Sequence, residues 1–208
     1  MDIGFNVYLV LDELRKRKKI FRDENDFRQE LVDTIQDMYD NVRVKVEYPA
    51  PFNTKKGIDI VVVMDNEYYP IELKYKRKSF KGIVDNIEYD LPSDNAQNEN
   101  CYRAVKDIKR IEDFRDNEPL FKKGYTVFLT NDLSYMNKPR EDSQYMEFSV
   151  HENSVKTGTL NWKRENPKTG FEEPITLKGT YTMNWKEYSN LNDEKSGTFM
   201  HLVNEIDK

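Results

Sequence analysis

Apolar residues recur along this chain in two periods, one helical and one alternating, and the two divide its first 130 or so positions cleanly. Asn6 to Lys18 carries Val7, Leu11 and Leu14 at helical spacing and ends in a basic run, which suits a helix C-terminus. Asp23 is placed to cap a second helix, with Phe27, Leu31, Ile35 and Met38 as its apolar stripe and a break at Asp40-Asn41. Glu30 lies beside that stripe. Val42, Val44 and Val46 then alternate with Arg43, Lys45 and Glu47, predicting a strand stopped by Pro49 and Pro51.

The run Ile58, Ile60, Val61, Val62, Val63, Met64 is nearly continuous and β-branched, as in a strand covered on both faces, and Asp59 is its one charge. A buried aspartate is costly without a partner. Asp65-Asn66-Glu67 reads as a turn. From Tyr68 to Lys76 the pattern alternates, with Ile71, Leu73 and Tyr75 on one face and Glu72, Lys74 and Lys76 on the other. Folding this hairpin brings Asp59 opposite Glu72 to Lys74, with the register open by one residue.

A polar stretch reaches Pro92, and a long helix is predicted between about Ser93 and Arg115. Its inner stripe is Cys101, Ala104 or Val105, Ile108 and Ile111, with the basic residues outside. Tyr125 to Thr130 reads as a buried strand, parallel to the Glu72 strand through a right-handed crossover. The fold class is therefore α/β. Beyond Asn131 the pattern weakens to short strands at Met146 to Val150, Leu160 to Lys163 and Ile175 to Met183, separated by polar loops.

A length of 208 residues fits one domain, with a core over about 23–131 and a β-rich C-terminal extension over about 132–208. No apolar run approaches the roughly 20 residues needed to span a bilayer, and the N-terminus lacks the pattern of a secretory signal. The single cysteine, Cys101, excludes an internal disulfide and a thiolate zinc cluster, so the expectation is a cytoplasmic protein without a membrane. A net charge of −5 offers no global attraction to nucleic acid. Local basic runs at Arg15 to Lys19, Lys74 to Lys81, Arg103 to Arg110 and Lys122-Lys123 would frame a positive groove, although each alone is explained as a solvated face. His151 and His201 lack zinc-ligand spacing, and Trp162 and Trp185 fit burial better than base stacking.

The order of a helix with Glu30, a strand, a strand with Asp59, a strand with Glu72-Leu73-Lys74, a helix and a strand resembles the PD-(D/E)XK nuclease superfamily, the restriction-endonuclease-like fold. The likeness covers about Asp23 to Asn131. It implies a central mixed sheet flanked by helices and a metal-dependent nuclease, an endonuclease cleaving DNA in restriction or genome defence. Asp59 and Glu72 would bind a divalent metal, Mg2+ with Mn2+ as a substitute, and Leu73 would lend its carbonyl. Lys74 would act on the attacking water, and Glu30 would be the assisting acid of the first helix. Oxygen donors suit such an ion, and a lysine beside it suits phosphoryl chemistry.

Two features depart from the pattern. Some branches place Gln and Tyr four residues apart on the following helix, where this chain has Asn98 with Tyr102 and Gln97 with Cys101; and Ile58 stands where a proline often precedes the first acid. A homodimer is compatible with double-strand cleavage. Two other readings share the fold: a non-catalytic module binding nucleic acid or protein, and an RNA-processing or repair nuclease. The bland reading of Glu72 and Lys74 is an exposed strand face with paired charges.

Overall fold

In a computed structural model the chain is described over residues 4–163, 173–191 and 196–208. Helix α1 (Val7–Arg17) starts where the Asn6 side chain accepts the Tyr8 N–H at 2.9 Å, and α2 (Glu24–Met38) starts where Asp23 accepts the Asp26 N–H at 2.9 Å. Strands β1 (Arg43–Ala50), β2 (Asn53–Met64) and β3 (Glu67–Lys76) form an antiparallel meander. The β2–β3 turn is Asp65-Asn66, both at positive φ, which matches the right-handed twist of a tight hairpin. Strand β1 runs on through Pro49 instead of stopping there; it is an edge strand, and an edge tolerates a residue with no N–H to donate.

What reads as a polar stretch before Pro92 is a second hairpin, β4 (Phe80–Val84) and β5 (Ile87–Leu91), turned by Asp85-Asn86 in the same positive-φ conformation. Helix α3 (Gln97–Asn117) begins four residues later than its sequence pattern suggests, after Ala96 in a left-handed conformation. It leads into β6 (Lys123–Thr130), which lies parallel to β3 with Glu72 beside Thr126 and Lys74 beside Phe128. Met146–Phe148 is a 3-10 turn, not a strand, and the strand expected at Leu160 to Lys163 instead occupies β7 (Val155–Leu160), paired with β8 (Ile175–Thr182).

The last described strands, β9 (Trp185–Asn190) and β10 (Thr198–Asp207), are absent from the sequence reading. Strand β10 lies antiparallel to β6 and completes a six-stranded mixed sheet in the order β1-β2-β3-β6-β10-β9. The molecule is thus α/β, with the sheet between two apolar layers. On one face α1 and α2 bury Val10, Leu14, Phe27 and Leu31 against Ile60, Ile71, Leu73 and Val127. On the other, α3 and the β7–β8 hairpin bury Val105, Ile108, Phe114, Leu177 and Tyr181 against Val61, Val63 and Phe128.

Gly124 makes the second layer possible. A Cβ there would stand 2.2 Å from Ile111 Cγ2, so α3 lies directly on the backbone of β6. The α3 face also differs from expectation in one residue: Arg110 is buried, not outside. Among the described residues no helix is long and apolar enough to cross a membrane.

Candidate active site

Because Ile71, Leu73 and Tyr75 pack toward α1 and α2, the alternation of β3 turns Glu72 and Lys74 toward α3. The β2–β3 register ends with Ile60 paired to Ile71, and Asp59 and Glu72 are the next residues beyond that last pair on the two strands. Beyond Ile71 that ladder ends, and carboxylates take over the exposed edge of β3. Leu73 N–H donates to Asp59 Oδ2 at 2.8 Å, Tyr75 N–H to Glu24 Oε2 at 2.9 Å and Arg77 N–H to Asp94 Oδ2 at 2.9 Å. Asp59 is therefore fixed at the place where β2 parts from β3, and it remains half-buried.

Glu72 is 2% exposed. Burial, then the neighbouring carboxylates Asp107 and Asp59, push its pKa well above the usual glutamate value, and Asp59 is close enough to share a hydrogen bond with it. Arg110 Nη1 stands 2.8 Å from Glu72 Oε1, while that same oxygen lacks a hydrogen bond of acceptable direction. Charge contact without good hydrogen-bond geometry is the sounder description of the pair. The guanidinium is anchored on its other side, where Nη2 donates to Gly57 O at 2.5 Å.

Lys74 pairs with Asp107 Oδ2 at 2.7 Å, their side chains 11% and 9% exposed. Burial alone would depress the Lys74 ammonium, but Asp107, with Glu24 and Glu72, outweighs it and holds the pKa above the ordinary lysine value. Behind Glu72, Lys74 and Asp107 lies a cavity of about 10 Å³, room for about one water, closed by Thr126, Asn204 and Leu202. Asn204 donates to Thr126 Oγ1 at 3.2 Å.

The structure thus brings Asp59, Glu72, Leu73 and Lys74 together. It does not bring Glu30 there. Glu30 lies on α2, on the opposite side of the sheet from Glu72, and pairs with Lys18 at 2.8 Å. The acid of α2 that reaches β3 is Glu24, in the first turn, which Tyr75 binds through its amide. The sequence pattern assigns Arg110, with the other basic residues, to the outer face of α3 and does not single out Asp107; their charges at a three-residue spacing, within a stripe that also holds Ile108 and Ile111, are the signal that places them inward. Tyr102, the nearest match to the extra helix motif, is buried against Phe148 and Trp162 and donates to Glu173 O at 3.0 Å.

Two adjacent carboxylates, one of them with a buried oxygen lacking a hydrogen bond, form a donor set that a hard divalent cation would satisfy. Asp59 and Glu72 fit such an ion. The basic runs are largely answered within the fold: Arg15 by Asp12, Lys16 by Glu13, Arg17 by Asp37, Lys19 by Asp85, Lys122 by Glu67 and Lys123 by Glu205. Lys76 and Lys78, one and two steps past Lys74 in the same basic run, carry no ion pair among the described residues. Half-buried Lys76 has its pKa lowered by burial. His151 Nδ1 contacts Ser149 Oγ at 3.0 Å, and His201 is buried beside Tyr188. No family model matches the chain, and no curated protein or solved structure matches it.

Proposed function

We propose that this chain is a metal-dependent nuclease that hydrolyses phosphodiester bonds in DNA, of the restriction or genome-defence kind and resembling the PD-(D/E)XK superfamily. The observation that carries the reading is the placement of Asp59, held by the Leu73 amide at 2.8 Å, beside the buried Glu72 of β3, with Lys74 next on the same face. Neighbouring carboxylates inside a protein are stabilised by a shared proton or a cation. The order α2-β1-β2-β3-α3-β6, with the β4–β5 hairpin inserted between β3 and α3, supports the same assignment.

Asp59 and Glu72 would hold the cation, Mg2+ or Mn2+, with the Leu73 carbonyl as a further donor. Bound there, the ion would polarise the phosphate and lower the pKa of a coordinated water. The chain's own residues supply the rest. The Leu73 amide fixes Asp59 in place, so the acid enters the site without a search over rotamers. Asp107 fixes the Lys74 ammonium, which orients the attacking water and answers the charge that develops on the phosphate. Half-buried Lys76, without an ion pair among the described residues, would meet a backbone phosphate. Glu24 takes the position of the helix acid.

A second reading has its own support. Glu72 and Lys74 are each neutralised by an α3 side chain and largely sealed, which is how a fold that has kept its site for stability, as a binding module, would look. The two separate in a cleavage assay on supercoiled and linear double-stranded DNA, single-stranded DNA and RNA with Mg2+ or Mn2+. Cleavage that a chelator and Lys74→Ala both abolish is the expected result. Failure to cut any of these substrates while Mn2+ binds would favour the non-catalytic module.

A further inference from the structure

Arg110 of α3 meets both acid-bearing strands. One nitrogen lies 2.8 Å from Glu72 Oε1 on β3, the other donates to Gly57 O on β2, and the side chain is 9% exposed. We propose that Arg110 is the resident counter-ion of the candidate cation site, holding Glu72 until a divalent cation displaces it, and that it thereby sets the metal affinity of the site. The inference rests on the metal reading above and adds the residue that regulates it.

Charge counting points to displacement. Lys74 and Asp107 cancel each other at 2.7 Å, and the Arg110 guanidinium stands 2.8 Å from Glu72. Asp59 and Glu72 together match the charge of a divalent ion, and with Arg110 still in place the same ion would lie beside a like charge in a buried space. Glu72 Oε1 is also the oxygen nearest Arg110 and the one that lacks a well-directed hydrogen bond, so the contact to be given up is an imperfect one. Gly57 O gives the released guanidinium a second anchor, so Arg110 need not enter solvent. Gly57 itself is pinned, because a Cβ there would stand 2.5 Å from Glu47 O. Arginine suits this place better than lysine, since its fork can keep one bond while yielding the other.

The test is Mn2+ binding by calorimetry to the whole chain, to Arg110→Gln, and to Asp59→Asn in both backgrounds. Arg110→Gln should bind Mn2+ at least tenfold more tightly than the parent, and Asp59→Asn should remove binding from both. Equal affinity of parent and Arg110→Gln, with binding still lost in Asp59→Asn, would overturn the competition and leave the cation site standing. Absence of Mn2+ binding in every protein would overturn both together. Should Arg110→Gln fail to fold, the parent alone decides: its Arg110 Nε–H signal, protected from exchange without metal, should shift and exchange faster on saturation with Mg2+. An unchanged signal at saturation would sink the proposal.

Discussion

At the candidate site, each buried charge faces an opposite one from another element: Glu72 of β3 faces Arg110 of α3, and Lys74 of β3 faces Asp107 of α3. Removing one member of such a pair leaves the other stranded and costs about 3–5 kcal/mol. Glu112 shows the same logic away from the site. Its fully buried carboxylate accepts the Lys178 N–H at 2.9 and 3.0 Å, the Gly179 N–H at 2.7 Å and the Tyr181 O–H at 2.8 Å, tying the β7–β8 hairpin to α3. Glu112→Ala strands three donors, and urea unfolding should show a loss of about 3–5 kcal/mol. A second residue gives a pH signature. His201 is buried beside Tyr188, with Nδ1 lacking a partner, and burial, then Lys186, lowers its pKa from 6.5 to about 4, Asp12 opposing and Arg15 adding. Its folded-state pKa lies below the unfolded value, so the stability it carries is complete above about pH 6.5 and is lost as pH falls toward 4. That loss approaches about 3 kcal/mol. His201→Phe should flatten the stability profile between pH 6.5 and 4, and an unchanged slope would rule out this titration.

Among the elements, α3 and β6 depend on a contact with no slack. Gly124→Ala drives a methyl into Ile111, and the expected loss is about 1–3 kcal/mol by thermal unfolding. Combining it with Ile111→Ala should recover part of that loss, since the two changes act on one space. Elements also show what the sequence carries and what it hides. The faces of β3 were legible because strict alternation leaves Glu72 and Lys74 one side only. The β4–β5 hairpin went unread although its Asp85-Asn86 turn repeats the Asp65-Asn66 turn, because five-residue strands give too few alternations to register. Strand β10 hid for another reason: His201 and Asn204 are buried polar residues, and they break the apolar pattern of a strand that is nonetheless inside. Glu24, Asp107 and Arg110 reach the site from other elements, and side-chain reach across a fold is not written in local periodicity.

For the whole molecule, strands β9 and β10, beyond Asn131, belong to the central sheet. Strand β6 is buried along nearly all its length, with β3 on one side and β10 on the other, and Leu202 and Asn204 of β10 also close the cavity behind Glu72 and Lys74. A fragment ending at Asn131 would expose the β6 edge and the α3 face, and it should be insoluble or lack cooperative unfolding. A soluble, cooperatively unfolding fragment would show that the C-terminal strands are dispensable. The deciding experiment for function measures Mn2+ affinity and DNA cleavage on the same preparations of the parent and Lys74→Ala. Lys74→Ala should still bind Mn2+, at least as tightly as the parent because Asp107 loses its counter-charge, and lose cleavage by at least a hundredfold, while both cleave nothing in chelator. Cleavage by Lys74→Ala at the parent's rate would contradict the assignment of Asp59, Glu72 and Lys74 as a nuclease centre.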